Sequence, residues 1–499
     1  MNKRTLQELV KGQYGRKIAY TDVDEITEAN VVKVVSSCIG VFNFNRTVIK
    51  YLWEYKNGDQ PALYREKTVR DDVNNPVVEN HAWEIVQFKN AQTNGEPIQC
   101  VSTKKDSKIN DAVDKFNDYC RSANKYVKDI SSGEWTSAVG MGYKAIQRKN
   151  DVEVPFRIVT PSPLNTFIIY QRSTEEPMLA VQELKDENGD RFLLCFSETH
   201  EFRIQKGQLL ALDSLADVPV YSRLHAFGGI PIVEYPNNQD RISDIELVIS
   251  MLDAINEYQS SRVDSVCQFV QSWIKFVNCD IDEDTFEKMK MKGTLVVKSN
   301  NGSENKADVD IMTQELNQTQ TQVAKNDLWD NVLSISAIPN RESQNSGGDT
   351  AGAVALRSGY DFSKQRAKIK DLYIISAEKQ LNKVILNVIR QAKGVNECPL
   401  SQMDYDVQIS HSPTDNMLTK TQTLQLLLNS GIHPLIAIKT CGLWSDSEKV
   451  FLQSKSYLDK AYEDLKASGT VNVEEQEKLA NQIAQKQMPV ETEDGTSKN

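Results

Sequence analysis

The residues best able to do chemistry are few and poorly placed for it. Five histidines (81, 200, 225, 411 and 433) lie far apart with no i,i+4 pair, so none has the positioned partner that a general base needs. The chain contains no GxxxxGK[ST], HExxH or GxSxG. That removes the strongest local signatures of a phosphate-cradling NTPase, a zinc hydrolase and a serine hydrolase. The run Asp280-Ile281-Asp282-Glu283-Asp284 imitates the opening of a calcium loop. Thr285, however, stands where that loop needs glycine, and Met291 where it needs a bidentate glutamate. A solvated acidic helix start describes the run better. Gly347-Gly348 would cradle a phosphate only after a leading strand and before a Lys-Ser/Thr pair; Thr350 is near, but no lysine accompanies it. Eight cysteines (38, 100, 120, 195, 267, 279, 398 and 441) show no CxxC and read as small buried hydrophobes or free thiols. The sequence thus presents no catalytic residue, no cofactor site and no metal site.

Composition narrows the class. The 499 residues are 39% hydrophobic and 25% charged, which suits large cores and about three domains. A net charge of −11 argues against coating nucleic acid by bulk attraction, so any DNA contact is local or transient. No apolar run approaches the roughly 18 residues of a membrane span. The opening MNKRTLQELVKGQYGRK is basic but has no apolar signal core. The expectation is a cytosol-like compartment and no membrane.

The chain is organised around residues 229–277. A strand (Ile230, Ile232, Val233) breaks at Asn237-Asn238. A helix then restarts with Ser243 at its N-cap and Glu246 three residues on, a capping box. Ile245, Val248, Leu252 and Ile255 share one face; Val263, Val266, Val270 and Trp273 form a second, offset stripe. With no proline or glycine from Asp244 to Val277, the expectation is one helix through Val277. Upstream, helices are expected over 21–56, 81–89 and 109–131. The stretch 138–234 reads as β-rich, with turns at Asn188-Gly189 and Lys206-Gly207. Downstream, 278–316 reads as a small αβ insertion with strands at GTLVVKSN and ADVDIM. Helix follows over 317–338, then a Ser/Asn/Gly-rich loop at 338–352. A long helix from Ala353 to Lys393 comes next; from 353 to 397 there are nine Lys/Arg against four Asp/Glu. A strand at 405–412 and helices at 416–430 and 446–468 precede a polar tail with no apolar period, expected to be disordered.

The order of these pieces resembles the portal (head-to-tail connector) proteins of tailed double-stranded-DNA bacteriophages, in the roughly 500-residue branch common in phages of Gram-positive hosts. The pieces are YLWEYKNGDQPALYREK, NNPVVENHAWEIV, GMGYKAIQ, IPIVEYPNN, SDIELVISMLDAINEYQSS, IPNRESQNSGGDTAGAVALR and LLLNSGIHPLIAI, in that order over about 25–465.

The resemblance implies an α+β, mainly helical portal fold with wing, stem, clip and crown. Residues 1–240 would be wing (helices, then a β-rich part), 241–277 a stem helix, 278–316 the αβ clip and 317–340 the second stem helix. Residues 341–352 would be the tunnel loop, 353–415 the long wing helix and strand, 416–470 the crown, and 471–499 the tail. It implies a ring homo-oligomer, usually a dodecamer, at the virion's portal vertex, with a host-cytoplasm stage during assembly. Its partners would be the terminase large subunit, scaffolding and major capsid proteins, head-completion/neck proteins, and double-stranded DNA in the channel. Arg341, Ser343, Gln344, Asn345 and Ser346 would face that DNA. The loop departs from a basic DNA contact in having no lysine between Ser343 and Val354. The competing reading is a nucleic-acid-processing enzyme with an unrecognised site.

Overall fold

Helical and alternating patterns take turns along the chain, and a computed structural model resolves them into elements. The structure describes residues 6–10, 12–67, 73–104, 106–212, 221–270, 273–277, 308–312, 318–340, 359–410, 417–444, 447, 449–455 and 457. Two units divide the chain, 1–412 and 413–499.

The first unit opens with α1 (Leu6–Val10), β1 (Ala19–Thr21), α2 (Val31–Lys56), α3 (His81–Asn94), β2 (Gln99–Ser102), α4 (Ser107–Ser122) and α5 (Lys125–Val139). The β-rich stretch holds β3 (Met141–Arg148), β4 (Phe156–Val159), β5 (Thr166–Gln171), β6 (Pro177–Lys185) and β7 (Arg191–Phe196). It continues with β8 (His200–Gln205), β9 (Gln208–Leu209), β10 (Ser222–Leu224) and β11 (Ile232–Pro236). Then come α6 (Ile249–Val270), β12 (Trp273–Val277), β13 (Asp308–Met312), α7 (Gln318–Ser336), α8 (Tyr360–Lys393) and β14 (Tyr405–Gln408). The second unit carries α9 (Met417–Asn429) and α10 (Pro434–Cys441), with further helical residues between 447 and 457. The fold is α+β, as expected.

Local chemistry sets many of these limits. Asp106 caps α4 by accepting the Lys108 N–H at 3.0 Å, and Asn80 caps α3. Lys206 and Gly207 both take positive φ, 50° and 78°, the backbone of a two-residue hairpin turn between β8 and β9.

The largest sheet runs β1-β5-β6-β7-β8-β10, with β9 on β8; β1 lies parallel to β5 and the rest pair antiparallel. Its inner face packs on the first half of α2, through Val31, Val34, Val35, Cys38 and Phe42. The second half of α2 enters another core, where Leu52 and Tyr55 meet α3, α5 and the upper part of α6. A third core joins α4, the β11-β3-β4 sheet, the β14-β2 pair and α8.

Several expectations differ from the structure, among them the helix expected from residue 21: Ala19–Thr21 is a strand and α2 starts at Val31. The helix expected to reach Val277 stops at Val270, and Trp273–Val277 is a strand paired antiparallel with Asp308–Met312. The run WIKFV is β-branched and aromatic, and strand propensity wins there once a partner exists. At the other end, residues 244–248 form turns with i→i+3 bonds, Val248 N–H to Ile245 O at 3.1 Å among them. The helix expected over 109–131 is two helices, broken where Asn124 adopts φ 53°. The long helix begins at Tyr360, after Gly359 at φ 81°; its expected start at 353–358 lies outside the described residues. The helix at 434–441 was not anticipated; Pro434 opens it and His433 accepts the Leu435 N–H at 3.2 Å.

Six cysteines are buried and Cys267 is half-buried; all seven are free thiols, and Cys279 lies outside the described residues. No described helix is long and apolar enough to cross a membrane.

Candidate functional site

The feature most unlike an ordinary core helix is α6 with its partner α7. The first apolar stripe of α6 (Ile245 in the preceding turn, then Val248, Leu252 and Ile255) is buried in the core. In the second stripe Val263 is half-buried and Val266 exposed. α7 packs alongside α6, tied by Arg262 Nη1 to Gln322 Oε1 at 2.7 Å.

Between the stripes runs a line of polar side chains four residues apart: Asn256, Ser260 and Asp264, all buried. They clasp an extended segment, 75–79, by its backbone. Asp264 Oδ1 accepts the Asn75 N–H at 2.7 Å, Ser260 Oγ the Val77 N–H at 2.9 Å, and Asn256 Oδ1 the Glu79 N–H at 2.8 Å. Alternate amides of an extended chain point the same way, and helix side chains at i, i+4 and i+8 line one face. The helix thus supplies the acceptors that a neighbouring strand would supply in a sheet.

Charges lock both ends of this strap. Asp264 lies 3.0 Å from Arg65 Nη2 and contacts Lys67 Nζ. Burial alone would raise its carboxyl, but Lys67 and the Asn75 N–H hold it below the usual range. At the other end, the Glu79 carboxyl is brought down to about 2, chiefly by the hydrogen bond with His81, against burial and with help from Lys325. Lys325 of α7 sits 2.5 Å from Glu79 Oε1, and His81 stacks on Trp329 of α7 with ring centroids 4.0 Å apart. One short segment therefore joins α3, α6 and α7.

Two cations close the far end of α7. Arg366 Nη1 donates to Ile335 O at 3.2 Å and Lys89 Nζ to Ala337 O at 3.4 Å, where orphan carbonyls favour positive charge. Burial lowers Lys89 to about 8. This junction leads into 341–358. Arg341, Ser343, Gln344, Asn345 and Ser346 all lie in that stretch, outside the described residues, as do Gly347, Gly348 and Thr350. The acidic run 280–284, Met291 and GTLVVKSN fall outside them too.

Two further sets of buried charges are closed. Lys125, Asp129, Lys144 and Glu378 alternate in sign around a ring: Lys125 Nζ is 2.8 Å from Asp129 and 2.9 Å from Glu378, and Lys144 Nζ is 2.6 Å from Glu378 and contacts Asp129. Tyr235 donates to Glu378 at 3.0 Å. Burial would raise Glu378; Lys125 and Lys144 outweigh it and hold the carboxyl at about 2. Arg16 is wholly buried against Glu246, whose carboxylate also accepts the Gly15 and Ser243 N–H groups, each at 3.0 Å. Each cation in these sets faces a carboxylate and is shut off from solvent, so the sets staple elements together and offer a substrate no face. Among the described histidines, His225 is lowered by burial and bonds Ser197 O at 2.9 Å. No group of three or more potential metal ligands occurs among the described residues.

The strap escaped sequence reasoning because its partner is an irregular segment some 180 residues upstream. The available signal was the run of small polar side chains at 256, 260 and 264 inside an otherwise amphipathic helix.

Comparison with known proteins adds a family. The profile of the phage portal proteins, SPP1 Gp6-like, matches residues 38–485. No curated protein matches. Among solved structures, the chain is similar to one in the neck of an empty GTA particle computed with C6 symmetry. That pair has a TM-score of 0.44 and 10% identity, covering 74% of this chain and 89% of that one. It is also similar to a chain in the neck of the native GTA particle computed with C12 symmetry (0.41, 10%, 73% and 89%). A third similar chain comes from the virion of the native gene transfer agent (0.39, 10%, 74% and 88%).

Proposed function

This chain belongs to the phage portal proteins of the SPP1 Gp6-like family, and we propose that DNA is packaged and ejected through the channel its copies enclose. Portal membership makes it a structural component of the virion, a homo-oligomeric ring forming a channel at a capsid vertex. In our reading the ring has twelve subunits. α6 and α7 are its stem, 278–316 its clip, 1–240 with α8 its wing, and 416–470 its crown. The clip docks the terminase large subunit and later the head-completion/neck proteins. Scaffolding and major capsid proteins join during assembly in the host cytoplasm. Arg341, Ser343, Gln344, Asn345 and Ser346 face the passing DNA.

One observation supports this reading above the others. α6 and α7 pack side by side, and the strand that follows α6 in the chain (β12) pairs antiparallel with the strand that precedes α7 (β13). The chain between 277 and 308 therefore leaves and returns at one end of a helical hairpin, as a stem with a tip requires.

Negative-stain imaging with mass from light scattering tests the architecture. The expected result is a ring of about twelve copies with a central hole and a protruding stem. A compact monomer with nuclease or NTP-hydrolysing activity would overturn the reading in favour of a nucleic-acid-processing enzyme. Deleting Glu342–Thr350 should leave the ring intact and impair DNA packaging; loss of the ring would remove the tunnel-loop assignment.

A further inference from the structure

The early turns of α8 show solvent a mixed face. Phe362, Ile369 and Leu372 are each more than half exposed. Arg366 and Lys368 stand exposed among them; Arg366 Nη1 also caps the end of α7 at the Ile335 carbonyl, and neither side chain pairs with a carboxylate among the described residues. Large apolar side chains gathered on one helix face mark an interaction surface.

α7 carries the counterpart. Val323 is 64% exposed, and Asp327 and Asp330 follow it at i+4 and i+7, both exposed and neither paired with a cation among the described residues. Phe362, Arg366 and Ile369 repeat that i, i+4, i+7 spacing on α8, so each triplet forms one stripe.

We propose that the α8 face of one copy docks on the α7 face of its neighbour. The inference rests on the ring reading above and supplies its contact. A closed ring needs two different patches on each subunit, complementary to each other and not to themselves. Here one patch is apolar and basic, the other apolar and acidic, and both lie in the same unit. Duplex DNA is the less fitting occupant of α8, because Phe362, Ile369 and Leu372 would then face phosphates with nothing apolar to cover them.

The test uses the full chain. Reversing α7 alone (Asp327→Lys with Asp330→Lys) or α8 alone (Arg366→Glu with Lys368→Glu) lowers the ring fraction at fixed concentration by about tenfold or more. Combining all four substitutions restores it. Unfolding temperatures of the variants separate lost docking from lost folding. Independently, Val323→Cys with Ile369→Cys gives a ladder of covalent oligomers on oxidation that neither single variant gives.

A wild-type ring that ignores both reversals, or one that the fourfold swap fails to restore, overturns the docking and leaves the ring reading standing. Rings that stay intact while the α8 reversal weakens retention of double-stranded DNA assign the face to DNA and overturn the docking as well. A wild-type chain that stays monomeric overturns the ring reading itself.

Discussion

Ser260→Ala removes one hydroxyl from the middle of the strap, and its cost follows from the contacts. Ser260 is fully buried; its Oγ accepts the Val77 N–H at 2.9 Å and donates to Asn256 O at 2.8 Å. Alanine leaves a half-buried amide without its acceptor, which costs about 2 kcal/mol within a usual range of about 1–3. The neighbouring clasps at Asn75 and Glu79 keep their acceptors. If the three clasps open together, the strap opens about 30-fold more often, because about 1.4 kcal/mol is a factor of ten. Hydrogen exchange of the amides at Asn75, Val77 and Glu79 reads this directly. All three should accelerate by similar factors, while amides in the middle of α8 keep their rates. Acceleration confined to Val77 would refute the cooperative clasp, and unchanged exchange at all three would show that α6 does not hold the segment.

Further outcomes are expected. Gly140 ends α5 at φ 92°, and a Cβ there would collide with the Arg241 carbonyl, so Gly140→Ala should cost at least about 3 kcal/mol in urea unfolding. Gly189→Ala, at φ 83° with open space around it, should cost only about 1 kcal/mol. Lys144→Met leaves Asp129 and Glu378 to share Lys125, which should destabilise by about 3–5 kcal/mol; adding Asp129→Asn should recover part of the loss. Glu378, held at about 2 against an ordinary 4.5, contributes stability above pH 4.5 that is lost as pH falls toward 2. The Lys144 variant should therefore show a shallower acid limb. Asp253 runs the other way. Burial raises it to about 6 from 3.8 while it accepts the Tyr55 hydroxyl at 2.8 Å, so its contribution is complete below pH 3.8 and lost as pH rises through 6. Asp253→Asn should be more stable than wild type by up to about 3 kcal/mol at pH 8, a gain that closes below pH 4.

What the sequence disclosed depended on how local the cause was. The end of α2 at Lys56, the turns at Asn188-Gly189 and Lys206-Gly207, and the first stripe of α6 are decided within a few residues and were legible. Trp273–Val277 was not, because helix and strand compete there and the winner is set by Asp308–Met312, more than thirty residues away. Ser243 and Glu246 were legible as a capping pair, but tertiary structure takes up most of their bonding. Glu246 is held by Arg16, and Ser243 Oγ lies 3.0 and 2.8 Å from the carbonyls of Ser137 and Ala138, so regular helix begins only at Ile249. The fold class and the family followed from the order of the pieces. The clasp did not, since one partner has no periodicity at all.

The strap also sets its own length. Four residues of helix advance about 6.0 Å, whereas two residues of extended chain advance about 6.6 Å. The two repeats therefore slip by roughly 0.6 Å at each clasp, and the helix face turns by about 40° as well. Over Asn256, Ser260 and Asp264 the accumulated error is small enough for bonds of 2.7–2.9 Å at every position. A longer run would fall out of step, so a helix can borrow a strand's bonding only over a vernier of a few marks. Inserting one residue between Asn75 and Glu79 would shift the scale by half a period and turn alternate amides away from the helix.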